Sequence, residues 1–133
     1  MSAPDKHALE EGTDFKPGFN SDGLIPAVAS DSQTGELLMV AWMNATALDE
    51  SMRTGIAHFW SRSRAKLWRK GEESGNTLRI EEMRTDCDQD VLWLRVRIEG
   101  DGKACHTARR SCFYRRVTRN SDGDVVLHID ESM

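Results

Sequence analysis

Apolar positions recur along this chain at spacings that predict a sheet more than a helical bundle. Two apolar runs, 24–29 and 37–43, are separated by DSQTGE, and Gly35 supplies the backbone freedom that a tight turn needs. In the segment 91–99 apolar residues alternate with charged ones, which is the pattern of a strand with one buried face. These patterns predict a β-hairpin followed later by a half-buried strand.

One short helix is predicted between these elements. Asn44 offers an N-cap oxygen, Leu48 and Met52 are spaced to share a helical face, and Gly55 suits the position after the last turn. The helix should therefore cover 45–54.

Weaker patterns complete the outline. We expect strands at 56–61 and 77–83, and a second hairpin formed by 113–119 and 125–129 around the turn sequence NSDG. The segment 68–76 contains two glycines and a serine and is interpreted as a loop. Together the elements predict an α+β fold, mainly antiparallel β-sheet with one or two short helices.

The 133 residues are enough for one domain and too few for two. Residues 1–22 are interpreted as an irregular N-terminal arm with a helical turn near Leu9, tied to the core by Phe15 and Phe19, and 23–133 as a single domain. The longest apolar run, Leu37 to Met43, is far below the roughly 20 residues of a membrane span, and no signal peptide is visible. We expect a cytoplasmic protein that has no membrane association.

Charge is arranged in clusters along the chain. The net charge of -4 argues against a general nucleic-acid binder. Two basic clusters flank an acidic one, an order that suits a small anionic ligand beside a metal ion, although solvated strand faces would give the same pattern. The basic clusters comprise Arg62, Arg64, Lys66, Arg69 and Lys70, and Arg109, Arg110, Arg115, Arg116 and Arg119.

Three cysteines, Cys87, Cys105 and Cys112, have polar neighbours, and three cannot all pair as disulfides. Three thiolates with one open position resemble a catalytic zinc site, whereas a fourth ligand such as His106 would make a structural one. Neighbouring residues on an extended chain rarely bind one ion, so His106 could instead carry a proton. The residue types alone leave the catalytic and structural zinc sites equally open.

The segment DCDQD alternates three carboxylates, Asp86, Asp88 and Asp90, which are oxygen ligands that Mg²⁺ uses. On a straight strand the outer two would stand about 13 Å apart, too far to share one ion. Either the backbone curls here or water mediates some contacts. A plain polar turn is the alternative.

Two further segments have groups suited to phosphate. The first alternates hydroxyl and guanidinium groups, with Arg62 and Arg64 expected on one face, and the second combines an aromatic ring, cations and a Gly/Ser turn whose N–H groups could cradle an anion. They indicate a phosphorylated, nucleotide-like ligand. The candidate contacts are Ser61, Arg62, Ser63, Arg64, Trp68, Lys70, Gly71, Ser74 and Gly75, with Arg109 and Arg110 from the second basic cluster.

The segments GLIPAV, LMVAWMN, FWSRSRAKLWRKGEESGN, DCDQDVL and ACHTARRSCFYR occur in this order within 23–116. In this combination the chain resembles the phosphoribosyl-AMP cyclohydrolase family. The resemblance implies hydrolysis of the N1–C6 bond of the adenine ring of phosphoribosyl-AMP, the third step of histidine biosynthesis. It also implies an intertwined homodimer whose zinc ligands, Cys87, Cys105 and Cys112, come from both subunits, and Mg²⁺ on Asp86, Asp88 and Asp90.

The chain departs from the family pattern at two positions: Ala108 stands where a glycine is usual, and Glu73 where threonine is frequent. A turn at Ala108 must therefore avoid positive φ or tolerate strain. Two rival functions are a zinc-stabilised nucleotide-binding module without catalysis and a nucleobase deaminase. The H-x-E and P-C-x-x-C signature of the deaminases is missing from the sequence.

Overall fold

The computed structural model describes residues 5–133. Its elements in chain order are α1 (Lys6–Glu11), β1 (Ile25–Asp31), β2 (Leu37–Met43), α2 (Ala45–Thr54), β3 (His58–Ser61), β4 (Lys66–Arg69), β5 (Leu78–Thr85), β6 (Leu92–Ile98), β7 (Arg115–Arg119) and β8 (Val125–Ile129). The predicted α+β class is confirmed. No helix in the described part of the chain is long and apolar enough to cross a membrane.

A four-stranded sheet in the order β2-β1-β6-β5 forms the centre of the fold. β1 pairs with β2 and β5 pairs with β6 in antiparallel fashion, as expected of a mainly antiparallel sheet, but β1 and β6 run parallel. The alternation predicted for 91–99 is confirmed, because Leu92, Leu94 and Val96 of β6 are fully buried. These side chains are the middle of the core.

Helix α2 has the bounds predicted from the sequence. Its first turn is capped by Asn44, whose Oδ1 accepts the N–H of Ala47 at 2.8 Å, and Gly55 follows it in the left-handed conformation. The helix is tied to β3 because the Ser51 hydroxyl accepts the N–H of His58 at 2.8 Å and donates to its carbonyl at 3.2 Å. Helix and hairpin β3–β4 therefore keep a fixed relation to each other.

One element was interpreted wrongly from the sequence. Trp68 was placed in a loop, but it lies in β4, opposite Phe59 of β3, and the two rings are 5.3 Å apart. The aromatic pair stabilises a short strand, and the loop begins only after Arg69. This hairpin places two Trp, two Ser and two Arg side chains at the edge of the cleft described below.

The N-terminal arm begins, within the described residues, with the expected helical turn, which is capped by Asp5; residues 1–4 of the predicted arm lie outside them. Phe19 packs against the core, and Phe15 lies along an apolar groove of about 400 Å³ with Met52 and Met83. The tie of Phe19 to the core is therefore present, whereas Phe15 is 44% exposed and lines only the groove. The two side chains bring the arm alongside β5 and α2.

Candidate functional site

A cleft of about 800 Å³ gathers the groups that could carry chemistry. Its lining comes from β2, from the hairpin β3–β4, from the loop 70–76 and from the segment 101–112. The loop and the segment are joined by Asn76, which is 9% exposed and whose Oδ1 accepts the N–H of Asp101 at 2.7 Å. This hydrogen bond fixes the position of the loop 70–76 relative to the segment 101–112, which together line part of the cleft.

Most of the side chains proposed from the sequence to contact a ligand line this cleft. They come from segments of the chain that are distant in sequence and that the fold brings together. The set comprises Ser61, Ser63, Arg64, Trp68, Lys70, Gly71 and Ser74, with Cys105, His106 and Cys112. Both departures from the family pattern, Glu73 and Ala108, line it as well.

Four of the proposed contacts are outside the lining. Arg62 stacks over the ring of Trp42 at 4.8 Å, and Arg109 stacks over the ring of Tyr114 at 4.0 Å. Arg110 is paired with Glu36, to which its Nη2 donates at 2.8 Å. Gly75 closes a turn, its N–H donating to the carbonyl of Gly71 at 2.8 Å. In a single chain these groups are occupied with other contacts.

Arg62 and Arg64 do not share a face, contrary to the prediction from alternation. β3 ends at Ser61, whose hydroxyl accepts the N–H of Arg64 at 3.2 Å, and Ala65 has φ 51°. The residues between β3 and β4 therefore form a turn, to which strand alternation does not apply. Arg64 is directed into the cleft lining and Arg62 to Trp42.

Two thiols meet at the cleft. Cys105 and Cys112 both line it, and the Thr107 hydroxyl donates to Sγ of Cys105 at 3.0 Å. Burial opposes ionisation of Cys105, but its contacts with Thr107 and Cys112 and the charge of Lys70 lower its pKa overall. Partial burial and the neighbouring Cys105 raise the pKa of Cys112 to about 11. Cys105 is thus the first of the pair to become a thiolate, the form that binds soft metal ions.

The third cysteine is separate from this pair. Cys87 is exposed in the turn between β5 and β6. Among residues 5–133, the aspartate trio is the one group of three candidate ligands whose donor atoms all lie within 4.8 Å of one another. One chain therefore brings together two of the three proposed zinc ligands.

His106 lies beside the thiol pair in a tight turn. The N–H of Cys105 donates to the Arg109 carbonyl at 2.9 Å, and the N–H of Ala108 donates to the Cys105 carbonyl at 3.0 Å. Ala108 adopts φ 68°, so the turn tolerates strain where the family pattern has glycine. This turn presents the exposed His106 side chain to the cleft.

The aspartate turn curls instead of running straight. Oδ1 of Asp86 accepts the N–H groups of Asp90 at 2.9 Å and of Val91 at 3.1 Å, and Gln89 has φ 58°. Hydrogen bonds to Asp88 and Asp86, which require a proton on Asp90, raise the pKa of Asp90 to about 6, and the negative charges of its two crowded neighbours add to the shift. Such crowding of oxygen ligands fits a divalent cation. The trio is outside the cleft lining of the same chain.

Sequence reasoning missed the two tryptophans Trp42 and Trp60, which line the cleft together with Trp68, and it missed Asn76 and Lys103. Trp42 follows the exposed Val40 by two residues on β2. Because side chains on a strand alternate between its two faces, the spacing of two residues could have predicted that Trp42 lies on the outer face of β2 with Val40.

The comparisons with known proteins agree on one family. A family profile described as phosphoribosyl-AMP cyclohydrolase matches residues 39–114. A phosphoribosyl-AMP cyclohydrolase of Brucella anthropi is 60% identical over 126 residues, 95% of this chain and 89% of the relative. The chain belongs to the phosphoribosyl-AMP cyclohydrolase family. Similar proteins of that name from Brucella canis and Chelativorans sp. are 59% and 58% identical over 123 residues, 92% of this chain and 88% of each relative.

Membership of the phosphoribosyl-AMP cyclohydrolase family confirms the resemblance seen in the sequence. It also confirms that the chain is a hydrolase acting on a cyclic amidine C–N bond. The match covers β2 through the turn that holds Cys105 and His106, and so includes the lining of the cleft.

Proposed function

We propose that this chain hydrolyses the N1–C6 bond of the adenine ring of phosphoribosyl-AMP, the third step of histidine biosynthesis, in the cytoplasm. The observation that supports this most directly is the content of one cleft: an aromatic wall, basic groups and a thiol pair beside His106. A zinc-stabilised binding module would use the same aromatic, basic and thiol groups, so what favours catalysis is the proton carrier His106 beside the thiols. Free cysteines agree with a reducing compartment.

The aromatic and basic side chains have separate tasks. Trp42, Trp60 and Trp68 offer ring surfaces for the purine, and a stacked base is typically stabilised by about 1–3 kcal/mol per aromatic contact. Arg64 and Lys70, which line the same cleft, would hold phosphate. The forked guanidinium of Arg64 can donate two hydrogen bonds at once, whereas Lys70 acts as a point charge. Burial lowers the pKa of Lys70, and the charges of the two thiols oppose that shift.

The donor sets fit the two metal ions implied by the resemblance. Cys105 and Cys112 form a soft pair that zinc would take, completed by Cys87 from a second copy of the chain. Asp86, Asp88 and Asp90 form a hard oxygen set for Mg²⁺. When bound, zinc would supply the polarisation that makes water a nucleophile near neutral pH.

The side chain of His106 would move the proton. An imidazole nitrogen takes a proton from the water that attacks C6 and returns it to N1 as the N1–C6 bond breaks. The second proton of the water passes to the exocyclic nitrogen on C6, so that C6 and this nitrogen become a carboxamide and the ring opens without net proton uptake. The exposed position of His106 on the cleft allows both contacts.

The hairpin β7–β8 supports the second copy of the chain in this proposal. Both strands are exposed along their whole length and, among the described strands, they pair only with each other. Val117 lies opposite Leu127, and Val125 and Ile129 fall on the same face. An isolated two-stranded hairpin is marginal in water, so this apolar face needs a cover. We assign that cover to the partner in a homodimer.

The proposal is tested by an absorbance assay on phosphoribosyl-AMP with metal-stripped protein and with protein to which zinc and magnesium have been restored. We expect ring opening only after restoration, and a loss of about 10²–10⁴-fold in kcat for His106→Ala. His7→Ala is the control, because His7 is 78% exposed on α1 outside the cleft lining. Restored protein that binds the nucleotide without opening the ring would support the binding module instead.

A further inference from the structure

Gln89 is an unusual residue at the centre of the aspartate turn. It is 5% exposed although its neighbours Asp88 and Asp90 are exposed. Its φ of 58° lies in the left-handed region, which residues other than glycine, asparagine and aspartate seldom adopt. A buried polar side chain on a strained backbone needs an explanation from the surroundings.

The explanation is the N-terminal arm, to which the Gln89 amide makes three hydrogen bonds. Oε1 accepts the N–H of Lys16 at 2.7 Å. Nε2 donates to the carbonyls of Leu9 at 3.0 Å and Asp14 at 3.2 Å. Both amide hydrogens are thereby used, and the bonds join residues 73 to 80 positions apart in the sequence.

The backbone of the arm also lies directly on the turn. The N–H of Gly18 donates to the Gln89 carbonyl at 2.6 Å. A Cβ at Gly18 would stand 3.1 Å from that carbonyl oxygen and 3.5 Å from Cβ of Asp90. The arm therefore approaches as closely as a glycine permits, against one of the three carboxylate residues.

The conformation of Gln89 decides how the carboxylates are placed. Its N–H donates to the Asp86 carbonyl at 3.1 Å, and its left-handed φ reverses the chain between Asp88 and Asp90. Without that reversal the three carboxylates would spread along an extended strand, as like charges favour. The arm opposes this spreading because its contacts exist only with the curled turn.

We propose that Gln89 is a positioning residue through which the N-terminal arm holds Asp86, Asp88 and Asp90 in the arrangement that binds a divalent cation. Arm and cation then strengthen each other's binding by the same factor, since coupling between two sites is reciprocal. This inference rests on the magnesium site of the proposed function.

The test replaces Gln89 by methionine in the full chain. Methionine has a side chain of similar length, and its left-handed φ costs about as much free energy as that of glutamine. Gln89→Met therefore removes only the three side-chain hydrogen bonds to the arm. The matched control is Gln33→Met, the same change at the chain's other glutamine, which is exposed in the turn after β1. Magnesium affinity is measured by calorimetry, and amide exchange of residues 9–18 by mass spectrometry with and without Mg²⁺.

In the native chain we expect Mg²⁺ to slow exchange of residues 9–18. Gln89→Met should weaken Mg²⁺ binding roughly five- to tenfold, at the low end of ordinary coupling between sites, and should make arm exchange fast and independent of Mg²⁺. Gln33→Met should match the native chain in both measurements. If Gln89→Met does not fold, Gln89→Gly replaces it, since glycine adopts the left-handed φ freely while still lacking the amide.

Two failures are distinguishable. Native magnesium affinity in a Gln89→Met protein whose arm exchanges rapidly would overturn the inference and leave the magnesium site intact. A native chain that binds Mg²⁺ no better than Asp88→Asn would overturn the site itself and the inference with it.

Discussion

On the homodimer proposed above, Leu127→Asp should leave the protein monomeric. Leu127 is 55% exposed on β8 and lies opposite Val117 on the apolar face of the hairpin β7–β8. Covering that exposed half of the side chain contributes about 1–1.5 kcal/mol, from the usual 1.5–3 kcal/mol for a whole leucine. In a symmetric dimer the contact occurs twice, so its loss raises the dissociation constant by about two powers of ten.

The carboxylate adds to that effect, because an interface would have to bury a charge without a partner. Sedimentation velocity over a range of protein concentrations measures the change. The matched control is Val126→Asp: Val126 is the neighbouring residue on the same strand, but it pairs with Thr118 on the opposite face. The control should stay dimeric and active.

The same variant tests the shared zinc site. A monomer would keep Cys105 and Cys112 together but lose the third sulfur supplied by the second copy, so Leu127→Asp should bind zinc weakly and lose ring-opening activity. A Leu127→Asp protein that remains dimeric would refute the assignment of this face to the interface. A monomeric variant with full activity would refute the sharing of the site.

Three further outcomes follow from the cleft. Gly100→Ala would place a Cβ 2.4 Å from Oδ1 of Asn76, so we expect it to lower the free energy of unfolding in urea by about 2 kcal/mol or more. Its control, Gly102→Ala, has open space and a similar φ and should lower that free energy by only about 1 kcal/mol. Equal losses in the two variants would contradict the clash. Ala108→Gly removes left-handed strain and should raise stability by about 0.5–1 kcal/mol; a decrease would show that the strain is compensated. Arg64→Ala should raise KM for phosphoribosyl-AMP about tenfold or more with little change in kcat, and an unchanged KM would exclude its phosphate contact.

Local signals in the sequence were enough to predict α2 and the hairpins β1–β2 and β7–β8, but not the hairpin β3–β4. α2 follows directly from Asn44 and Gly55, and the hairpin β1–β2 from the turn around Gly35. The parallel pairing of β1 with β6 has no local signal, because Ala27 and Leu92 meet only through the tertiary fold. Periodicity indicates that both strands are buried but does not choose their partners.

The candidate site shows the same division. Contiguous motifs brought Ser61, Ser63 and Lys70 to the cleft as predicted, since a short hairpin and its loop keep neighbours together. The sequence did not predict that Arg62 contacts Trp42 or that Arg110 pairs with Glu36, because these partners are distant in sequence. The curl of the aspartate turn likewise depends on an arm more than 70 residues away.

In the proposed function, the separation of Cys87 from the thiol pair would link assembly to chemistry. A site completed by two chains binds its ion only in the dimer, so the ion and the hairpin interface stabilise the same state. The hairpin interface and the zinc site then do not each have to bind tightly alone. An exposed hairpin of five-residue strands forms a small interface, and two thiols from one chain bind zinc weakly. Because both must form together, zinc should tighten the dimer and dilution should release zinc. On this proposal, the linkage would account for an apolar face left open on a chain whose own core is already closed.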